Sequence, residues 1–154
     1  MDVLNIDNIF LDVAGKTRKD VFEFLAKKAT ENSYADNVDA IVEGFFAREK
    51  LGSTGMKAGF AIPHVKHATV KNTAVMIAKL RDGVSSQEWE TFDEKPVDIV
   101  IALLIPESGD KEDVKLLTSL SSKLVRAEFQ KEVRERNTAG ALFEYLTAQI
   151  VLQK

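Results

Sequence analysis

Residues 97–105 read VDIVIALLI. Apart from Asp98, the run is apolar throughout and dominated by Val, Ile and Leu. A half-buried strand alternates polar and apolar residues. A run with almost no polar break fits a strand covered on both faces, as in sheets flanked by helices. Extended to Pro106 it is still the longest apolar run of the chain, and it falls well short of the roughly 20 residues that span a bilayer. Residues 73–80, TAVMIAKL, have the same character.

On the C-terminal side, residues 110–124 (DKEDVKLLTSLSSKL) open with acids and end near a lysine. That polarity matches a helix macrodipole, and Val114, Leu117, Leu120 and Leu124 supply an apolar stripe. Two further helical segments are expected at 128–136 and from Thr138 to the C-terminus. On the N-terminal side, residues 9–13 (IFLDV) are strand-like. Thr17 with Asp20 fits a capping box, followed by the stripe Val21, Phe22, Phe24, Leu25 and Ala29. Asp36 is the N-cap candidate of the next helix, with Val38, Ile41, Val42, Phe45 and Phe46 at helical intervals up to Leu51-Gly52. Residues 81–96 are polar and turn-rich, and read as a surface excursion. The expected order is strand, two helices, a loop with a short strand, two strands and three helices. This is an α/β protein with a small central mixed sheet flanked by helices, one domain over residues 1–154. Pattern alone leaves the strand order open.

Composition is that of a soluble globular chain, 45% hydrophobic and 29% charged. The net charge of -3 gives no field favouring nucleic acid. Without Cys, disulfides, thiolate metal sites and Cys nucleophiles are excluded. Residues 1–15 lack a basic segment followed by an apolar core, so no signal peptide is read and a cytoplasmic protein is expected.

Both histidines lie in residues 52–67, GSTGMKAGFAIPHVKH. Phe60, Ala61 and Ile62 read as a short buried strand, and Pro63 biases Ile62 toward extended backbone. His64 then emerges at a strand end, where open α/β sheets place their sites. Neutral imidazole carries a free nucleophilic nitrogen. The competing reading is a partly buried histidine that satisfies a backbone carbonyl. Ser53, Thr54 and Gly55 can offer hydroxyls and N–H groups to an anion; equally, GSTG can be a helix C-cap at Gly52 followed by a turn. Arg48 can serve as a donor fork for phosphate or simply as a cation at a helix C-terminus, and the sequence does not separate the two. A zinc site lacks further ligands, so no metal is expected, and a Ser-His-Asp hydrolase lacks its G-x-S-x-G turn. His67 reads as a solvated loop residue.

The run 47–67, AREKLGSTGMKAGFAIPHVKH, resembles the signature of the phosphotransferase-system IIA domains of the fructose/mannitol family. It joins an Arg-Glu pair, a Ser-Thr-Gly turn and an Ile-Pro-His ending. The resemblance extends over KTRKDVFEFLAKKA, EWETFDEKPVDIVIALLIPE and DVKLLTSLSSKL, and is closest to the fructose-type branch. It implies a cytoplasmic phosphocarrier, a phosphotransferase component that requires no nucleotide, metal or organic cofactor. His64 accepts a phosphoryl group from the histidine-containing phosphocarrier protein and passes it to a cysteine on a IIB domain, and a membrane IIC component completes sugar uptake. Arg48 belongs to the family's active site, and Ser53, Thr54 and Gly55 match the loop beside it. The alternative is a regulatory module of the same fold, controlling a partner through its phosphorylation state.

In one respect the chain departs from the family. A second active-site histidine stands in many members where this chain has Asp113. An Asp there can turn away from the site, orient a ring N–H, or reflect a one-residue slip of the alignment, and His67 is a candidate substitute. Phe60, Met56, Val65 and Trp89 are candidates for an apolar partner surface around the site.

Overall fold

The computed structural model describes residues 3–151. The last residues of the expected C-terminal helix and both ends of the 1–154 domain lie outside them. The elements are β1 (Leu4–Val13), α1 (Arg18–Glu31), α2 (Val38–Glu49), β2 (Phe60–Ala61), β3 (His64–His67), β4 (Ala74–Val84), β5 (Val97–Pro106), α3 (Lys111–Leu124), α4 (Ala127–Glu135) and α5 (Ala139–Val151).

The five strands form one mixed sheet in the order β1-β4-β5-β2, with β3 also paired to β5. β4 and β5 are antiparallel; β1 runs parallel to β4, and β2 and β3 run parallel to β5. The apolar run at 97–105 is therefore a central strand. Its alternate residues serve two cores. Val100, Ala102 and Leu104 join Phe22, Leu25, Ile41 and Phe45 of α1 and α2. Ile99, Ile101, Leu103 and Ile105 join Leu120, Phe129, Leu142 and Leu146 of α3, α4 and α5. Both faces are covered, which is why the strand carries almost no polar residue.

The Thr17–Asp20 capping box is present: the Thr17 side chain accepts from the Asp20 N–H, and the Asp20 carboxylate accepts from the Thr17 N–H. The N-cap of α2 is Asn37 rather than Asp36; its Oδ1 accepts from Ala40 N–H at 3.0 Å. The expected C-cap at Gly52 falls at Lys50 instead, and Gly52 follows with φ +145°. The short strand expected at 60–62 is β2, ending at Ala61, and beyond Pro63 an unexpected second strand, β3, opens at His64, so His64 begins a strand instead of following one. The polar excursion begins later than the composition suggests. β4 continues through Arg81, and an irregularity after Lys79, with Gly83 at φ +77°, lets Val84 pair with Val97. Trp89 inside that excursion is fully buried, edge-on to Phe22 at 5.5 Å.

Candidate active site

α2 and β3 bring the sequence candidates together. α2 packs beside β3, and Gly44 on α2 faces Val65 of β3 so closely that a Cβ there would collide with Val65 Cγ2. The close approach lets Arg48, one turn further along α2, reach the start of β3.

Arg48 Nε–H donates to His64 Nε2 at 3.0 Å, and Arg48 Nη1 donates to the Gly52 carbonyl at 2.8 Å. His64 Nδ1 lies 3.0 Å from the Ile62 carbonyl. These contacts assign the tautomer. A guanidinium N–H only donates, so Nε2 accepts and is unprotonated. A carbonyl only accepts, so Nδ1 carries the proton. The nucleophilic lone pair therefore sits on Nε2, under the Arg48 fork. Burial chiefly, then the Arg48 charge, push the His64 pKa below its ordinary value. The hydrogen bond to the Ile62 carbonyl and the charge of Glu49 work the other way and lose. At neutral pH the ring is neutral. The two readings of His64 thus coincide: it does satisfy a backbone carbonyl, and that bond frees its other nitrogen.

The loop residues are engaged otherwise than expected. Thr54 N–H points at the Glu49 carboxylate, 3.2 and 3.3 Å from its two oxygens, and the Thr54 hydroxyl donates to Glu49 at 2.5 Å. Gly55 N–H donates to Ser53 Oγ at 3.1 Å, and the Ser53 hydroxyl donates to the Glu90 carbonyl at 2.6 Å. The donors of Thr54, the Gly55 N–H and the Ser53 hydroxyl are thus turned into the protein. Arg48 is the candidate that places a donor, its Nε–H, on the ring.

Asp113 is N3 of the α3 capping box. One oxygen accepts from Asp110 N–H at 3.2 Å, the other from the Thr73 hydroxyl at 2.7 Å. It orients neither histidine ring, since the ring N–H of His64 goes to Ile62. His67 is in β3, not in a solvated loop, and its Nδ1 accepts from Thr69 N–H at 3.0 Å. Three positions along a strand point to the opposite face, so His67 does not join His64.

Of the four apolar candidates, Phe60, Val65 and Trp89 are core residues and Met56 packs partly buried against the core. The large exposed apolar side chains by the loop are Leu51, at its start, and Phe92, whose N–H donates to the Met56 carbonyl. Glu49 stands in the sequence only as half of the signature's Arg-Glu pair, and nothing in a residue string marks it as buried. Among the described residues no group of three or more His, Asp or Glu could hold a metal ion, and no helix is long and apolar enough to cross a membrane.

A family model described as phosphoenolpyruvate-dependent sugar phosphotransferase system, EIIA 2, matches residues 2–149. The fructose-like EIIA component of the phosphotransferase system of Escherichia coli K12 is 30% identical over 142 residues, covering 92% of this chain and 94% of that protein. The crystal structure of nitrogen regulatory protein IIA-Ntr from Neisseria meningitidis superposes with a TM-score of 0.81 at 30% identity, covering 96% of each chain. A chain of the Escherichia coli complex of enzyme IIA-mannitol with phosphorylated enzyme IIB-mannitol superposes with a TM-score of 0.74 at 20% identity, covering 94% of this chain and 96% of that one; the likeness is one of fold.

Proposed function

Because the chain belongs to the EIIA 2 family of the phosphoenolpyruvate-dependent sugar phosphotransferase system, we propose that it is a phosphocarrier, one domain over residues 1–154, whose acceptor atom is His64 Nε2. The observation that carries this reading is the pair of contacts on the ring: the Ile62 carbonyl on Nδ1–H and Arg48 on the lone pair of Nε2.

The donor is the phosphorylated histidine-containing phosphocarrier protein. The Nε2 lone pair attacks phosphorus, the new N–P bond forms as the donor's N–P bond breaks, and the donor imidazole leaves with that electron pair. Such transfers need little covalent help beyond an in-line approach, an oriented ring and donors for the equatorial oxygens. The Ile62 carbonyl fixes the ring. Arg48 leaves Nε2 as phosphorus arrives and turns its planar fork to the phosphoryl oxygens. The Nδ1 proton held on Ile62 leaves the phosphorylated ring cationic and a good leaving group for the next transfer. The recipient is a cysteine thiolate on a IIB protein, which serves sugar uptake through a membrane IIC component. The fructose-like relative favours sugar transport of the fructose type, and this reading puts the protein in the cytoplasm.

A second reading has a specific observation behind it. The Neisseria protein that superposes so well is a nitrogen regulatory protein. In that reading the phosphorylation state of His64 controls a partner and no IIB is needed.

Intact mass after incubation with phosphoenolpyruvate, enzyme I and the histidine phosphocarrier protein tests the shared part. One added phosphate is expected in the wild type and none in His64→Ala; equal gain in both sinks the assignment. Adding a fructose-type IIB to the phosphoprotein separates the two roles, since loss of the phosphate to IIB marks the transport component and retention marks the regulatory one.

A further inference from the structure

We propose that Glu49 is the positioning residue of this site, locking the 52–55 loop so that the loop and the end of α2 together hold the His64 ring in one tautomer and one orientation. The inference deepens the reading of His64 as acceptor and rests on it.

Glu49 is one of the few buried charged residues, 8% exposed. A buried carboxylate is costly unless its oxygens are satisfied. Those oxygens receive the Thr54 N–H, the Thr54 hydroxyl and, at 4.0 Å, Arg18 Nη1 from the first turn of α1. The Thr54 carbonyl in turn accepts from Ile62 N–H at 3.0 Å. The Ile62 carbonyl accepts from His64 Nδ1, His64 Nε2 accepts from Arg48, and Arg48 is the residue next to Glu49. The chain of bonds closes on itself. It has a second tie, since Arg48 Nη1 also donates to the Gly52 carbonyl while Gly52 N–H donates back to the Glu49 carbonyl.

Both groups that fix the acceptor ring therefore hang from one loop, and Glu49 pins that loop to the helix that carries Arg48. A carboxylate that only filled space would leave the ring's two partners independent of it. Glu49 also acts through its charge. β3 is packed by α2 and β5. The β5 residues paired with β3 are Leu103, Leu104, Ile105 and Pro106, so the charges facing His64 are Arg48 and Glu49, both from α2. The carboxylate offsets part of the guanidinium's effect on the ring.

Nitrogen-15 NMR of the full chain reads the ring directly, with the His67 ring as internal control. The wild type should show His64 as the Nδ1–H tautomer. Glu49→Gln can still accept from Thr54, so it should keep that tautomer while the His64 titration moves to lower pH and His67 stays put. Glu49→Ala should show mixed tautomers at His64 and accept phosphate about tenfold more slowly or worse, since small misplacements of a reacting group cost that much. Wild-type tautomer, titration and rate in Glu49→Ala would overturn the proposal. Should that variant not fold, an unmoved His64 titration in Glu49→Gln overturns it instead. A wild type that takes up no phosphate would sink the acceptor reading and leave the ring measurements to stand on their own.

Discussion

His64 gives its two ring nitrogens different tasks, and the consequences are measurable. Its pKa is depressed, mainly by burial, so the folded protein binds a proton less readily than the unfolded chain. Phosphate acceptance should hold as pH falls through the ordinary histidine value of about 6.5 and fail only at lower pH, as the folded form titrates. Stability has the same sign. It is fully present above about pH 6.5 and drains away as pH falls toward the folded value, because the unfolded state then holds more protons. Urea unfolding at pH 7.5 and pH 5 should show a smaller acid loss for His64→Gln than for the wild type. Arg48→Lys keeps a charge but loses the planar fork. Acceptance should slow on the order of 100-fold, the loss typical of a missing donor at developing charge, with the melting temperature little changed. At this scale the sequence points to Arg48 and His64 as the candidates, because both belong to a motif. It does not show what Thr54 bonds to, because a loop donor serves a phosphate or a buried carboxylate equally well until the fold supplies one.

Among the helices, α3 is tied down at its start by two separate contacts. Its N-terminus is fixed by a reciprocal pair, Asp110 and Asp113, and Asp113 also ties the helix to Thr73, just before β4. Asp113→Ala should cost about 1 kcal/mol in urea unfolding, from a lost capping partner and hydroxyl bond, with the phosphate acceptance rate unchanged. A slowed rate would show that Asp113 serves the transfer after all. Thr17→Ala should cost a similar amount at α1, again about 1 kcal/mol. Helix positions were legible because caps and stripes are local, and a one-residue error such as Asp36 for Asn37 is the size expected when two capping residues adjoin. Strand ends were less legible. β4 runs past Leu80 to Val84 because its polar residues 81–83 fall in an irregularity, after which Val84 pairs with Val97, and a further short strand opens beyond Pro63 where a loop was expected.

The site exists only in the whole molecule, since Arg48 and His64 lie on different elements whose spacing is set by packing. Gly44 is the contact that sets it. A Cβ at that position meets Val65 Cγ2, the stiff end of a β-branched side chain in the core. Gly44→Ala should push α2 off β3, destabilise by about 1–3 kcal/mol, and slow acceptance more than its stability loss explains. Normal acceptance at a temperature where the variant is fully folded would show that α2 has slack. The residue string already carried the two-sided burial of the central strand, the helices and longer strands in their order, and the candidate pair Arg48 and His64. All of these follow from periodicity, local caps or a contiguous motif. The tertiary structure alone decided the strand order, the tautomer of His64, the inward turn of Thr54 onto Glu49 and the engagement of Asp113 by Thr73. Each depends on a partner distant in sequence or in another element. A hydrogen-bonding group has no preferred partner until the packing of helices on the sheet leaves it just one.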